Sequence, residues 1–188
     1  MCRYTNMQRI EIIKMYYENG KSVRSTYRAL RKTFGRPYFF ENECGNAVTV
    51  NGERYRAMIK NYFWHQLNAF DLKDTWFQQD GITCHTSAVT IDLLRERFHD
   101  RVISRNGDVQ WPPRSCDITP LDFFLWGYVN SVVYWNKPKT INNLKGNINC
   151  DVSEITTDLC EKVAQNLSSR IYFLKKSRGG HLEDIIFK

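Results

Sequence analysis

Three acids stand where this sequence could do chemistry: Asp80 in "WFQQDGITCHTS", then Asp117 and Asp122 in "WPPRSCDITPLDFFLWGYV". A carboxylate at the end of a strand, joined by others around the start of a helix, offers hard oxygen ligands suited to Mg²⁺ or Mn²⁺. Two such ions, roughly 3.5–4 Å apart, activate a water and stabilise a leaving oxygen. Each acid also has a plainer reading. Asp80 precedes Gly81 and could simply open a turn. Asp122 fits the capping pattern Thr-x-x-Asp, and Asp117 fits an Asx-turn in a Pro-rich loop. Cys84-His85, read as part of an extended segment, would send its two side chains to opposite faces and make a poor zinc chelate. His85 is therefore expected to bond locally, near Asp80, rather than to act as a catalytic base.

The elements that must position these acids follow from periodicity. "YFF" (38–40) and "NAVTV" (46–50) read as strands, and Asn51-Gly52 as a turn that opens either a hairpin or a helix; the helical spacing of Tyr55, Met58, Ile59, Tyr62 and Phe63 favours the helix. "TWFQQ" is a short strand delivering Asp80; Ser87 caps a helix expected to turn Val89, Leu93, Leu94 and Phe98 inward; "DRVIS" (100–104) is the next strand. Thr119 is the expected N-cap and Pro120 the first residue of a helix running to Val129. Thr140 caps a long helical region with Ile141, Leu144, Ile148, Val152, Ile155, Leu159 and Val163 in phase. A break is expected at Ser153–Thr156, with Leu167, Ile171 and Leu174 continuing the pattern and Arg178-Gly179-Gly180 ending it.

The 188 residues fit one domain, or one with a small appendage, and 42% hydrophobic content supports a packed core. The most apolar stretch, Pro120–Trp135, is interrupted by Asp122, Gly127 and Asn130, so no membrane span is expected. The charged start "MCRYTNMQRIEI" is unlike a secretory leader, and six scattered cysteines without a Cys-x-x-Cys pair suggest free thiols in an intracellular protein.

The net charge of +7 is unevenly placed. Residues 1–36 hold nine Lys/Arg against two acids, whereas the remainder holds eighteen of each. An anionic partner docking on the N-terminal segment is the direct implication, and nucleic acid is the commonest such partner. Met7–Asn19 reads as one helix, ended by Gly20. Ser22 can cap a second, with Val23, Tyr27, Leu30 and Phe34 in a single stripe. Arg24, Arg28, Arg31 and Lys32 lie off that stripe, as in a helix-turn-helix DNA binder or a solubilised amphipathic hairpin.

The two acid-bearing segments, with "VTVNGERYRAMI", resemble the catalytic half of insect mariner-like transposases, enzymes of the Asp-Asp-Asp/Glu superfamily with an RNase H-like fold. The resemblance runs from about residue 37 to "RGGHLEDIIF", and residues 1–36 resemble the opening of that family's helix-turn-helix region. It implies an α/β chain: a truncated RNase H-like domain over 37–188, a mixed sheet with flanking helices, preceded by a short basic helical hairpin. Asp80 then matches the second catalytic acid and Asp122 the third, with 41 residues between them, Asp117 as a lesser companion and Cys116 where the family has proline.

The chain passes from "RKTFG" directly to "RPYFFEN", leaving no room for the family's first catalytic Asp or its two opening strands. The third helix of the first DNA-binding unit and the whole second unit are missing as well. Without the acid that normally bridges both metals, Mg²⁺ or Mn²⁺ would be held weakly or not at all. The expectation is a nuclear DNA-binding protein, ancestrally a partner of transposon ends, that no longer transposes. An exposed edge strand would invite pairing with a second copy, and no membrane is involved. The alternatives are a residual nuclease, with Glu41 or Glu43 as substitute acid, and an interaction module without a DNA role.

Overall fold

The computed structural model describes residues 37–67, 72–73, 75–180 and 182. The helical hairpin expected over 1–36 lies outside these residues. Within them, a small open sheet of three strands is flanked by helices, a mixed helix and strand architecture. The sheet expected to be mixed is parallel throughout: β1 (Phe77–Gln78) pairs with β2 (Val102–Ser104), and β2 with β3 (Val109–Gln110).

The residues expected as two strands before the first helix form a tight hairpin with a single antiparallel bridge, Glu41 to Ala47. Asn42 takes over the pairing: its Oδ1 accepts from the N–H groups of Cys44 and Asn46, and Gly45 supplies the positive φ of 76°. Helix α1 (Gly52–Met58) starts at Asn51, whose Oδ1 accepts from Arg54 N at 2.8 Å. A π-helical turn (Ile59–Phe63) carries it into α2 (Trp64–Leu67).

After β1 come a single helical turn α3 (Thr83–Thr86) and helix α4 (Ala88–Phe98). Ser87 occupies the cap position of α4, but its hydroxyl donates to Thr90 Oγ1 instead of accepting from the backbone. Leu93, Leu94 and Phe98 are buried as expected; Val89 is exposed, and Thr90 and Ile91 take the inward places.

β2 is apolar on both faces, as a parallel strand between two layers must be. Val102 packs with Tyr55, Ile59, Trp64, Leu94 and Phe98, and its neighbour Ile103 packs oppositely with Trp111, Ile118, Leu167, Ile171 and Leu174. Parallel neighbours normally need a long crossover. Here β2 and β3 are joined by residues 105–108 because the chain doubles back on itself. Asp108 N–H donates to Val102 O at 2.8 Å, and Asp108 Oδ2 accepts from Val102 N at 3.0 Å. A Cβ on Gly107 would lie 2.4 Å from Val102 O, so only glycine fits there.

A second π-helical turn, Leu121–Leu125, leads into α5 (Trp126–Val132). The Thr119 hydroxyl does not cap this helix: it donates to Ser115 O and accepts from Trp111 Nε1. Helix α6 (Ile141–Ser153) is capped by Thr140, though Ile141 itself is exposed. The break falls where expected, and Thr156 caps α7 (Thr157–Lys176) by accepting from Leu159 N. Leu167, Ile171 and Leu174 bury one side of α7 against the sheet, and Val163 in the same stripe is buried too. Among the described residues no helix is long and apolar enough to cross a membrane.

Candidate functional site

Asp80 sits two residues beyond β1, carried there by the ladder bond from Gln79 N to Ile103 O. Its Oδ1 accepts from Ile82 N at 3.1 Å and lies 2.5 Å from His85 Nδ1. The local bond expected of His85 is therefore present. The reason Cys84 and His85 diverge is different from the one expected. They occupy helix α3 rather than an extended segment, and Cys84 is buried in the core while His85 faces Asp80.

A buried polar network holds this pair. Gln79 Nε2 donates to His85 O at 2.8 Å and to Ser104 Oγ at 3.3 Å, and its Oε1 accepts from the Tyr55 hydroxyl at 3.1 Å. The Tyr55 ring lies 4.4 Å from the His85 ring. Thr90 Oγ1 donates to Cys84 O, and Asn106 Nδ2 to Thr86 O, so both ends of α3 are tied to the layers around it. Sequence reading passed over Tyr55 and Gln79 as site residues. The available signal was an amide, Gln79, between the short strand and Asp80, where a buried polar side chain has to find partners.

Electrostatics ties Asp122 to Asp80. The His85 hydrogen bond, opposed by burial and assisted by the Ile82 amide, holds the Asp80 carboxyl below the ordinary carboxylate range. Asp122, in the second π-helical turn, moves the opposite way: partial desolvation raises its pKa, and the Asp80 charge adds to the rise. The Asp80 charge thus reaches Asp122.

Asp117 is engaged elsewhere. It is buried, its carbonyl accepts from Arg170 Nη1 at 2.8 Å, and its Oδ2 accepts from Leu182 N at 3.3 Å. Arg170 is buried too, hydrogen-bonded to Asn166 and stacked 4.2 Å over the Phe123 ring. This clasp joins α7 to the turn that carries Asp122. Its sequence signal was a cation beside the inward-facing stripe of α7.

Asp80 and Asp122 have the donor type that Mg²⁺ or Mn²⁺ takes. They fall short of a two-metal set. One Asp80 oxygen is already shared by His85 and Ile82, Asp117 is engaged in its clasp, and among the described residues no three His, Cys, Asp or Glu side chains converge on one point. No cleavage step follows from this geometry. Arg24, Arg28, Arg31 and Lys32 lie outside the described residues.

Comparison with known proteins adds one finding. Residues 5–38 match the model of a helix-turn-helix domain family (DUF4817), a DNA-binding-like unit. No curated protein matches the chain.

Proposed function

We propose that this chain is a DNA-binding protein derived from a mariner-like transposase, with no remaining strand-transfer activity. The observation that carries the reading is the coincidence of two independent signals on one segment. The helix-turn-helix match covers residues 5–38, and the whole excess positive charge of the chain falls within residues 1–36. In this reading Arg24, Arg28, Arg31 and Lys32 contact phosphates, and the protein works in the nucleus. Asp80 and Asp122 are what is left of a two-metal centre in an RNase H-like domain. The Asp80 charge acting on Asp122 supports that descent.

The test is titration of labelled duplex DNA by the purified chain across a range of salt. Binding should weaken linearly on a double logarithmic plot, with about 0.9 in slope per neutralised phosphate. Replacing Arg24, Arg28, Arg31 and Lys32 together with Ala should lower that slope by about 3 to 4. Salt-independent affinity, or an unchanged slope in the variant, would favour an interaction module whose basic segment merely solubilises.

A further inference from the structure

The charge balance of residues 37–188 hides a local asymmetry that the fold exposes on α7. From Lys162 to Gly180 the sequence contains no Asp or Glu. The buried side of this stretch is Val163, Leu167, Arg170, Ile171 and Leu174. Its outer side is a stripe at spacing 3-4-3-4, Lys162, Gln165, Ser169, Tyr172 and Lys176, every member exposed. Phe173 and Lys175 flank the stripe, and Arg178 extends it past the helix end. Among the described residues none of the four exposed cations, Lys162, Lys175, Lys176 and Arg178, belongs to an ion pair.

Cations in the last turn complement the helix dipole, which accounts for Lys175 and Lys176. It does not account for the rings beside them. Tyr172 is 62% exposed and Phe173 46% exposed, packed edge to face with centroids 5.4 Å apart. Two adjacent aromatic side chains left exposed beside Lys175 and Lys176, on a stretch of helix without Asp or Glu, form a surface for a polyanion that has flat apolar faces of its own.

We infer that the outer face of α7 binds single-stranded DNA, with Tyr172 and Phe173 against unpaired bases and Lys162, Lys175, Lys176 and Arg178 on the phosphates. Duplex DNA satisfies only half of this surface, because its bases are stacked on one another and present no free ring face to the aromatic pair. The stripe from Lys162 to Lys176 spans about 21 Å at 1.5 Å per residue, room for a short run of nucleotides. This surface is built from residues other than those of the basic N-terminal segment and does not depend on the reading given to that segment.

The experiment uses the full chain carrying the four Ala replacements at Arg24, Arg28, Arg31 and Lys32, so that the phosphate contacts assigned to the N-terminal segment are already removed. Labelled oligo-dT and a duplex of equal length are titrated in parallel. The expected result is retained, salt-sensitive affinity for oligo-dT that exceeds affinity for the duplex. Adding Tyr172→Ala with Phe173→Ala should lower oligo-dT affinity at least about tenfold, whereas Tyr172→Phe, which keeps the ring, should leave it near the starting value. Replacing Lys175, Lys176 and Arg178 with Gln should reduce the salt slope by about 2.

Unchanged oligo-dT affinity in the aromatic double variant overturns the inference. So does a lowered Tm with unaltered affinity, which would mean that the rings pack against the chain's own residues. Binding of phosphatidylserine vesicles lost with the same substitutions would assign the face to a lipid surface. A dimer that dissociates on those substitutions would assign it to a second copy of the chain. Either result also overturns it.

Discussion

His85 Nδ1 and Asp80 Oδ1 stand 2.5 Å apart, joined across a five-residue interval by one strand end and a single turn of helix. The pair is held from below rather than by its own flexibility. Gln79 fixes the His85 backbone, and Tyr55 fixes both Gln79 and the imidazole plane. The strand has to be in place before the dyad exists, and the dyad then holds the carboxylate just beyond β1 below its ordinary pKa.

The pH dependence of that pair has a definite sign. Asp80 is depressed in the folded chain, so its bond contributes fully at neutral pH and down to the ordinary value near 3.8, and is lost as pH falls through the lower folded value. His85→Ala should cost about 1 kcal/mol at neutral pH, a modest figure because the pair is partly solvated. The stability gap between wild type and variant, followed by urea denaturation, should narrow only below about pH 4. A gap that stays constant to the acid limit would leave the Tyr55 ring contact, not the Asp80 bond, as its source.

Asp122 should respond in the opposite sense. Its pKa is raised in the fold, so its ionised form carries a small penalty present above the folded value and absent in acid. Asp80→Asn should move Asp122 back toward the ordinary carboxylate value in an NMR titration. If the Asp122 titration does not move, the two carboxylates do not share a field.

Gly107 tests the doubled-back connection between β2 and β3. A methyl group there would press on a backbone oxygen 2.4 Å away, with no flexible side chain to give way. Gly107→Ala should destabilise by about 2 kcal/mol or more, in the range of core overpacking. Chemical denaturation measures it, and a loss below about 0.5 kcal/mol would contradict the turn.

Arg170 should not tolerate a change to lysine. Its planar group stacks on Phe123 while donating to both Asn166 and the Asp117 carbonyl, a geometry that a point ammonium cannot reproduce. Arg170→Lys should cost about 2 kcal/mol, and the exposed Lys162→Ala within about 0.5 kcal/mol of zero. Comparable losses in the two variants would refute the clasp.

Supercoiled plasmid with Mn²⁺ tests the carboxylates as chemistry. The purified chain and Asp80→Ala should nick at the same background rate. Nicking by the natural chain that Asp80→Ala abolishes would show that the site still works without a third acid.

Much of the local structure was legible in the sequence because it rests on short-range rules. Thr140 caps as its side chain dictates, the chain turns at Asn51 and breaks between Ser153 and Thr156, and the α7 stripe follows from 3.6-residue periodicity. The proximity of His85 to Asp80 was also legible, since both belong to one short segment. Where the rules met competition they failed. Thr119 and Ser87 found better side-chain and carbonyl partners than their own helix ends, and the aromatic run at 38–40 made a turn-held hairpin in place of a ladder.

What the sequence determined by itself was the inventory: an acid at a strand end, a basic first segment, and helices with one apolar side. Packing alone decided which of these residues meet. Asp122 came within the field of Asp80 while Asp117 was drawn into the Arg170 clasp, and Tyr55 reached the site from an earlier helix. Such pairings join residues 24 to 53 positions apart, and hydrophobic layers on both faces of β2 choose them. No local preference encodes that choice, because it depends on which apolar faces exclude water together.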